Sequence, residues 1–127
     1  MAIDVDKHII YWRGGALESI ESAKVLFEKS RIVHSLFFCH LAIEKALKAL
    51  VIKATADIPP KTHNLIRLLE FSTISHENEF VDFLGEMMEF QLEGRYPSLG
   101  KPEISMEKAQ KYIQGAEDKV KWLISLL

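Results

Sequence analysis

Seven residues near the C-terminus, Met106, Ala109, Ile113, Ala116, Val120, Leu123 and Leu127, alternate spacings of three and four without an error. Apolar side chains repeated at that interval fall on one stripe of an α-helix, and such a stripe needs a partner surface. The upstream chain repeats the pattern. Ile9, Trp12, Ala16, Ile20, Ala23 and Phe27 mark a first helix over about residues 4–29. Val33, Phe37, His40, Leu41, Glu44, Leu47, Lys48 and Val51 run along adjoining faces of a second, over about 33–54. This second helix is apolar around much of its circumference, which makes it the expected central helix. No stretch shows the period of two that a half-buried strand requires.

The breaks between these patterns set the topology. Asp57-Ile58-Pro59-Pro60 ends the second helix, because proline lacks a backbone donor and biases its predecessor away from helix. Thr62 is expected to cap a short helix through Leu65, Leu68 and Leu69. Ser75 is expected to cap an acidic helix running to about Leu92, buried through Phe80, Phe83, Leu84, Met87 and Gln91. Residues 94–102 contain two Gly and two Pro and read as a loop, and Ser105 opens the last helix. The expected fold is all-α: an up-and-down antiparallel bundle of four main helices plus a short one, in a single domain over residues 1–127. Gly14-Gly15 interrupts the first helix at a cost of roughly 1 kcal/mol per glycine and allows a kink or a close contact there.

Composition narrows the class further. The chain has 127 residues, 48% hydrophobic and 27% charged, in the range of ordinary globular domains rather than disordered chains. Its longest apolar runs, such as Leu36-Phe37-Phe38-Cys39, fall far short of the roughly 20 residues that span a bilayer. The first residues mix Asp4, Asp6 and Lys7 among apolar ones, unlike a signal peptide, so a cytoplasmic location without membrane contact is expected. The single cysteine, Cys39, has no internal disulfide partner and reads as a buried small hydrophobe.

The net charge of −2 argues against a general coat for nucleic acid, yet it averages over unlike segments. Residues 40–67 hold five basic and two acidic side chains, whereas 68–94 hold seven acidic and no basic ones. Local anion binding is therefore compatible with the first segment and opposed by the second. The same polarity suits self-association, a charged protein partner or simply a solvated acidic face.

Phosphate loops, His-Glu-x-x-His, paired Cys-x-x-Cys, Gly-x-Ser-x-Gly and the Glu-x-x-His pairs of di-iron bundles are all missing from the sequence. No metal site and no cofactor are expected. His40 and Glu44 share a helix face four residues apart, which reads as a His-Glu hydrogen bond or a semi-buried structural polar cluster rather than as metal ligands. Glu44 and Lys48 stand in the favourable order for an intrahelical ion pair. His63 lies at a helix N-terminus with Lys61 close by, where backbone amides can receive phosphate, or where a histidine can orient the loop. In the 94–102 loop, Arg95 can clamp a phosphate and Tyr96 can stack on a base or pack the loop.

The residues that carry these features stand together as Ala42-x-Glu44-Lys45-Ala46-x-Lys48-Ala49, then Lys61-Thr62-His63-x-Leu65, then Arg95-Tyr96-Pro97. In that order, over nearly the whole chain, they resemble the HEPN family, the higher eukaryotes and prokaryotes nucleotide-binding domain. The resemblance implies a helical bundle that forms a homodimer and is linked to nucleotide or RNA. It also implies a minimal nucleotidyltransferase as partner in a toxin–antitoxin pair. Ligand contacts would then come from Lys48, Lys61, His63, Arg95 and Tyr96. The ribonuclease branch of that family uses an Arg-x(4 to 6)-His pattern, and here none of Arg13, Arg31, Arg67 or Arg95 has a histidine at that spacing. Because histidine titrates near neutrality and is the usual acid/base for such chemistry, its loss favours a binding member without a catalytic residue over a ribonuclease with an altered site. A structural helical adaptor is the other alternative.

Overall fold

The computed structural model describes residues 3–91 and 104–127. Among these, helices α1 (Val5–Glu28), α2 (Ile32–Thr55), α3 (Leu65–Ser72), α4 (Asn78–Met87) and α5 (Met106–Ser125) account for the regular structure, with a 3₁₀ turn at Met88–Phe90. The expected all-α bundle is what forms: four main helices and one short one. The loop at 94–102 lies outside the described residues.

Several of the helix ends are set by local contacts. Asp4 accepts from the Lys7 amide at 3.1 Å and caps α1. Ser30 adopts φ 61°, and the Arg31 amide then donates to the Leu26 carbonyl at 2.8 Å, closing the end of α1 in a Schellman-type turn. Ala56 and Thr73 end α2 and α3 in the same left-handed conformation. Ser105 caps α5 through the Lys108 amide, as its position suggests.

Two expected caps are corrected. The cap of α3 is Asn64, whose side chain accepts from the Arg67 amide at 3.1 Å, while Thr62 accepts from the Asn64 amide one turn upstream. The residue at the start of α4 is Glu77, without a side-chain cap bond, so Ser75 does not fill that role. The acidic helix also stops short of Leu92. It tightens into the 3₁₀ turn after Met87, where Phe90 packs edge-on against Tyr112 at 5.1 Å between ring centroids.

α2 is the central helix. Leu36, Cys39, Ala42, Ile43, Ala46, Leu47, Leu50 and Val51 are all buried in one core with Ala16, Ile20 and Ala23 of α1 and Val120 and Leu123 of α5. The small residues Ala16, Ala23, Ala42 and Ala46 let α1 and α2 approach closely, and Ser35 locks the pair by donating to the Ala23 carbonyl at 2.7 Å. Gly15 completes this contact. A Cβ there would meet the Lys45 side chain at 3.1 Å, and Lys45 reaches past it to donate to Ser19 at 3.0 Å. Lys24 pairs with Glu117 to tie α1 to α5, and Lys53 donates to the Leu126 carbonyl at 2.7 Å, joining the C-terminal ends of α2 and α5. The α5 seam is buried from Ala109 to Leu123, whereas Met106 stays 47% exposed. No helix among the described residues is long and apolar enough to cross a membrane.

Candidate functional site

His40, Glu44 and Lys48 follow one another at intervals of four along α2, so they descend one side of the most buried helix. Their burial is nearly complete: 1%, 3% and 7% of each residue is exposed. A carboxylate in that position has to be compensated, because charge removed from water is costly unless paired and hydrogen-bonded. Glu44 is compensated twice. Lys48 Nζ donates to Oε2 at 3.1 Å, and His63 Nδ1 lies 2.9 Å from Oε1. The ammonium of Lys48 also sits 5.1 Å from the centroid of the Trp12 ring, so α1 contributes an aromatic face to the cluster.

His63 reaches Glu44 because of the segment before α3. Pro59 is buried against the bundle, the Thr62 amide donates to the Pro60 carbonyl at 2.9 Å, and Thr62 in turn receives the Asn64 amide. These restraints hold His63 immediately before the cap of α3 with its ring edge on the α2 carboxylate. The His63 side chain remains 43% exposed while that of Glu44 is only 4% exposed. The pair thus joins a buried charge to a surface-accessible imidazole. With Nδ1–H donating to Glu44, the neutral tautomer places its acceptor on Nε2.

The His40–Glu44 hydrogen bond, one of the two readings of that spacing, does not form. His40 Nδ1 stands 3.9 Å from Glu44 Oε1, and neither ring nitrogen meets a hydrogen-bond partner among the described residues. Burial pulls the imidazole below the ordinary histidine range, with the Glu44 charge and the His63 backbone opposing that pull. His40 is therefore a neutral member of the cluster. No group of three His, Cys, Asp or Glu side chains among the described residues can hold a metal ion, and the Lys48 cation would oppose one at Glu44.

The structure thus gathers His40, Glu44, Lys48 and His63, and adds Trp12. Lys48 is committed to Glu44 and buried, so it acts on the site through that carboxylate. Lys61 is exposed on the segment that carries His63. Arg95 and Tyr96 lie outside the described residues. The contact between Glu44 and His63 spans nineteen residues across a proline-interrupted segment, and no periodicity in the sequence could pair them. Glu44 was signalled by its intervals of four to His40 and Lys48, whereas Trp12 read only as part of the apolar stripe of α1.

Two surface clefts border the bundle. The larger, about 570 Å³, lies between the start of α4 and α5, where Glu77, Glu79 and Asp118 outnumber Lys119 and disfavour a phosphate. The smaller, about 420 Å³, runs along α1 beside Trp12, Gly14, Gly15 and Lys45. A family model for the HEPN domain matches residues 9–126. Among curated proteins, none matches the chain.

Proposed function

The chain belongs to the HEPN domain family of nucleotide-binding and ribonuclease-type modules, and from that premise we propose that it is a single-domain, cytoplasmic binding member that takes a nucleotide or phosphate at the His63 end of α3. The observation that carries this reading is the 2.9 Å contact between His63 and the buried Glu44 carboxylate. It orients an accessible imidazole beside the first amides of α3, with Lys61 two residues away. Partial positive charge from those amides and the ammonium of Lys61 favour an anionic group, and the imidazole adds a ring nitrogen for hydrogen bonding. Arg95 and Tyr96 complete the proposed ligand set, Arg95 as a phosphate clamp and Tyr96 as a stacking surface.

In this reading the protein works as a homodimer beside a minimal nucleotidyltransferase, in a toxin–antitoxin arrangement. The sequence lacks the arginine–histidine spacing of the ribonuclease branch, which supports binding rather than cleavage. A second reading is favoured by the same pair: a buried carboxylate that fixes an imidazole tautomer is how general bases are positioned. His63 would then take the proton of a ribose 2′-hydroxyl. A thermal-shift panel of inorganic phosphate and purine and pyrimidine nucleotides separates these outcomes when run beside an RNA-cleavage assay. Stabilisation by a nucleotide that is lost in His63→Ala and Arg95→Ala, without cleavage, supports the binding reading. Cleavage that survives purification and disappears in both variants supports the second. No shift with any ligand and no cleavage would overturn both and leave a structural adaptor.

A further inference from the structure

The outward face of α1 carries a glycine with no internal reason to be one. A Cβ added at Gly14 would meet nothing within 4 Å, in contrast to Gly15, which lies under Lys45. Glycine in a helix interior is disfavoured relative to alanine, so a missing side chain that makes no room inside the molecule makes room outside it. The residues flanking it are apolar and uncovered: Ile10 is 69% and Tyr11 70% exposed, and Val25, three turns on, is 54% exposed. The 420 Å³ cleft opens beside the same glycine.

The charges on this face select the occupant. Lys7, Gly14 and Glu21 are spaced by seven residues, so they lie on one narrow stripe of α1 with the glycine at its midpoint. We propose that this stripe docks on the same stripe of a second copy of the chain, antiparallel, with the two-fold axis at Gly14. A two-fold at that point sets residue i opposite residue 28 − i, so Lys7 of each copy faces Glu21 of the other. Ile3, half-buried just ahead of α1, falls opposite Val25, and Ile10 lies beside the methylene stem of Glu18. Within one helix Lys7 and Glu21 are about 21 Å apart at 1.5 Å per residue and never meet, so their attraction acts only between copies, where Lys7 joins the Lys24 that already bonds Glu21 at 3.4 Å within its own chain. Parallel docking of the stripe would instead place Lys7 on Lys7 and Glu21 on Glu21, which like-charge repulsion disfavours. The inner side of the same turn carries Trp12, whose ring covers Lys48. Docking at Gly14 is therefore linked to the Glu44–His63 pair through two side chains, Trp12 and Lys48.

This inference rests on the homodimer reading above and adds the face and register. A single helix face is at the small end of protein interfaces, so the expected dissociation constant falls between about 1 µM and about 1 mM. Sedimentation equilibrium of the full chain tests it with Lys7→Glu, Glu21→Lys and the double variant. Each single reversal creates two like-charge pairs across the two-fold and should weaken association by about tenfold, whereas the double reversal should restore it to within about twofold. Lys7 and Glu21 are exposed, so circular dichroism should show the same helicity in all four proteins. A wild-type chain that stays monomeric at about 1 mM would overturn the homodimer reading and this face together. A dimer indifferent to both reversals and to Gly14→Arg would overturn the face alone. Weakening by both single variants without rescue in the double variant would overturn the antiparallel register.

Discussion

Replacing Glu44 with glutamine removes one charge and almost no volume from the centre of the polar cluster. The glutamine amide can still bond to His63, but Lys48 is left as an unpaired ammonium with 7% of its residue surface in water. Removing one partner of a buried ion pair costs about 3–5 kcal/mol, because the other charge stays desolvated. The Trp12 face, 5.1 Å from the ammonium, offsets about 1 kcal/mol of that, leaving about 2–4 kcal/mol. Urea denaturation followed by circular dichroism reads this directly. With an m-value of about 1.5–2 kcal/mol/M for a chain of this size, the midpoint should fall by about 1–3 M. Adding Lys48→Met to Glu44→Gln should recover much of the loss, since the orphaned charge is then gone. A cost below about 1 kcal/mol, or strictly additive effects of the two substitutions, would refute the claim that Glu44 and Lys48 compensate each other in the core.

Three further outcomes follow from single residues. His40 is buried and its pKa lies below the ordinary value of 6.5, so the unfolded chain takes up this proton first. Stability from His40 is complete above pH 6.5 and is lost as pH falls towards the folded value, by at most about 1.4 kcal/mol per pH unit. His40→Leu should flatten that slope below about pH 6.5 in denaturation curves at fixed ionic strength, and an unchanged slope would exclude His40 as its source. Ala56 ends α2 at φ 55°, where a Cβ is unfavourable, so Ala56→Gly should raise stability by about 0.5–1 kcal/mol in the same assay. Cys39 is fully buried and its thiol is pushed up to about 12 by burial. Its reaction with an aromatic disulfide reagent at pH 8 should be slow in the folded protein and rapid in denaturant, and fast native-state labelling would contradict the packing of α2.

The bundle was readable because its stripes are long and periodic. The α5 seam runs from Ala109 to Leu123 as its spacing indicates, and α2 is the central helix for the reason its composition suggests. Local competition defeated the finer detail. Thr62 and Ser75 are acceptable caps by type, but Asn64 stands next to Leu65 and wins the start of α3, while Thr62 turns the loop just before it. The early stop of α4 depends on Phe90 finding Tyr112 on another helix, which no local pattern reports. The site shows the same division. The Glu44–Lys48 pair is an interval-of-four contact and was legible. His63 was legible as a loop-orienting residue but not as the partner of Glu44, and His40 lacks the bond that was one reading of its spacing.

The most direct test of the binding proposal follows the ring protons of the five histidines by NMR while a nucleotide 5′-monophosphate is titrated into the protein. The account predicts that the His63 resonance moves in a saturable way as the nucleotide is added, while exposed His34 and His76 stay in place. In Glu44→Gln the His63 response should weaken by about tenfold or more in affinity, because a neutral amide then replaces the charged carboxylate that anchors the ring. A His63 resonance that ignores the nucleotide, or that responds identically when Glu44 is replaced, would contradict the claim that this carboxylate–imidazole pair forms the ligand site.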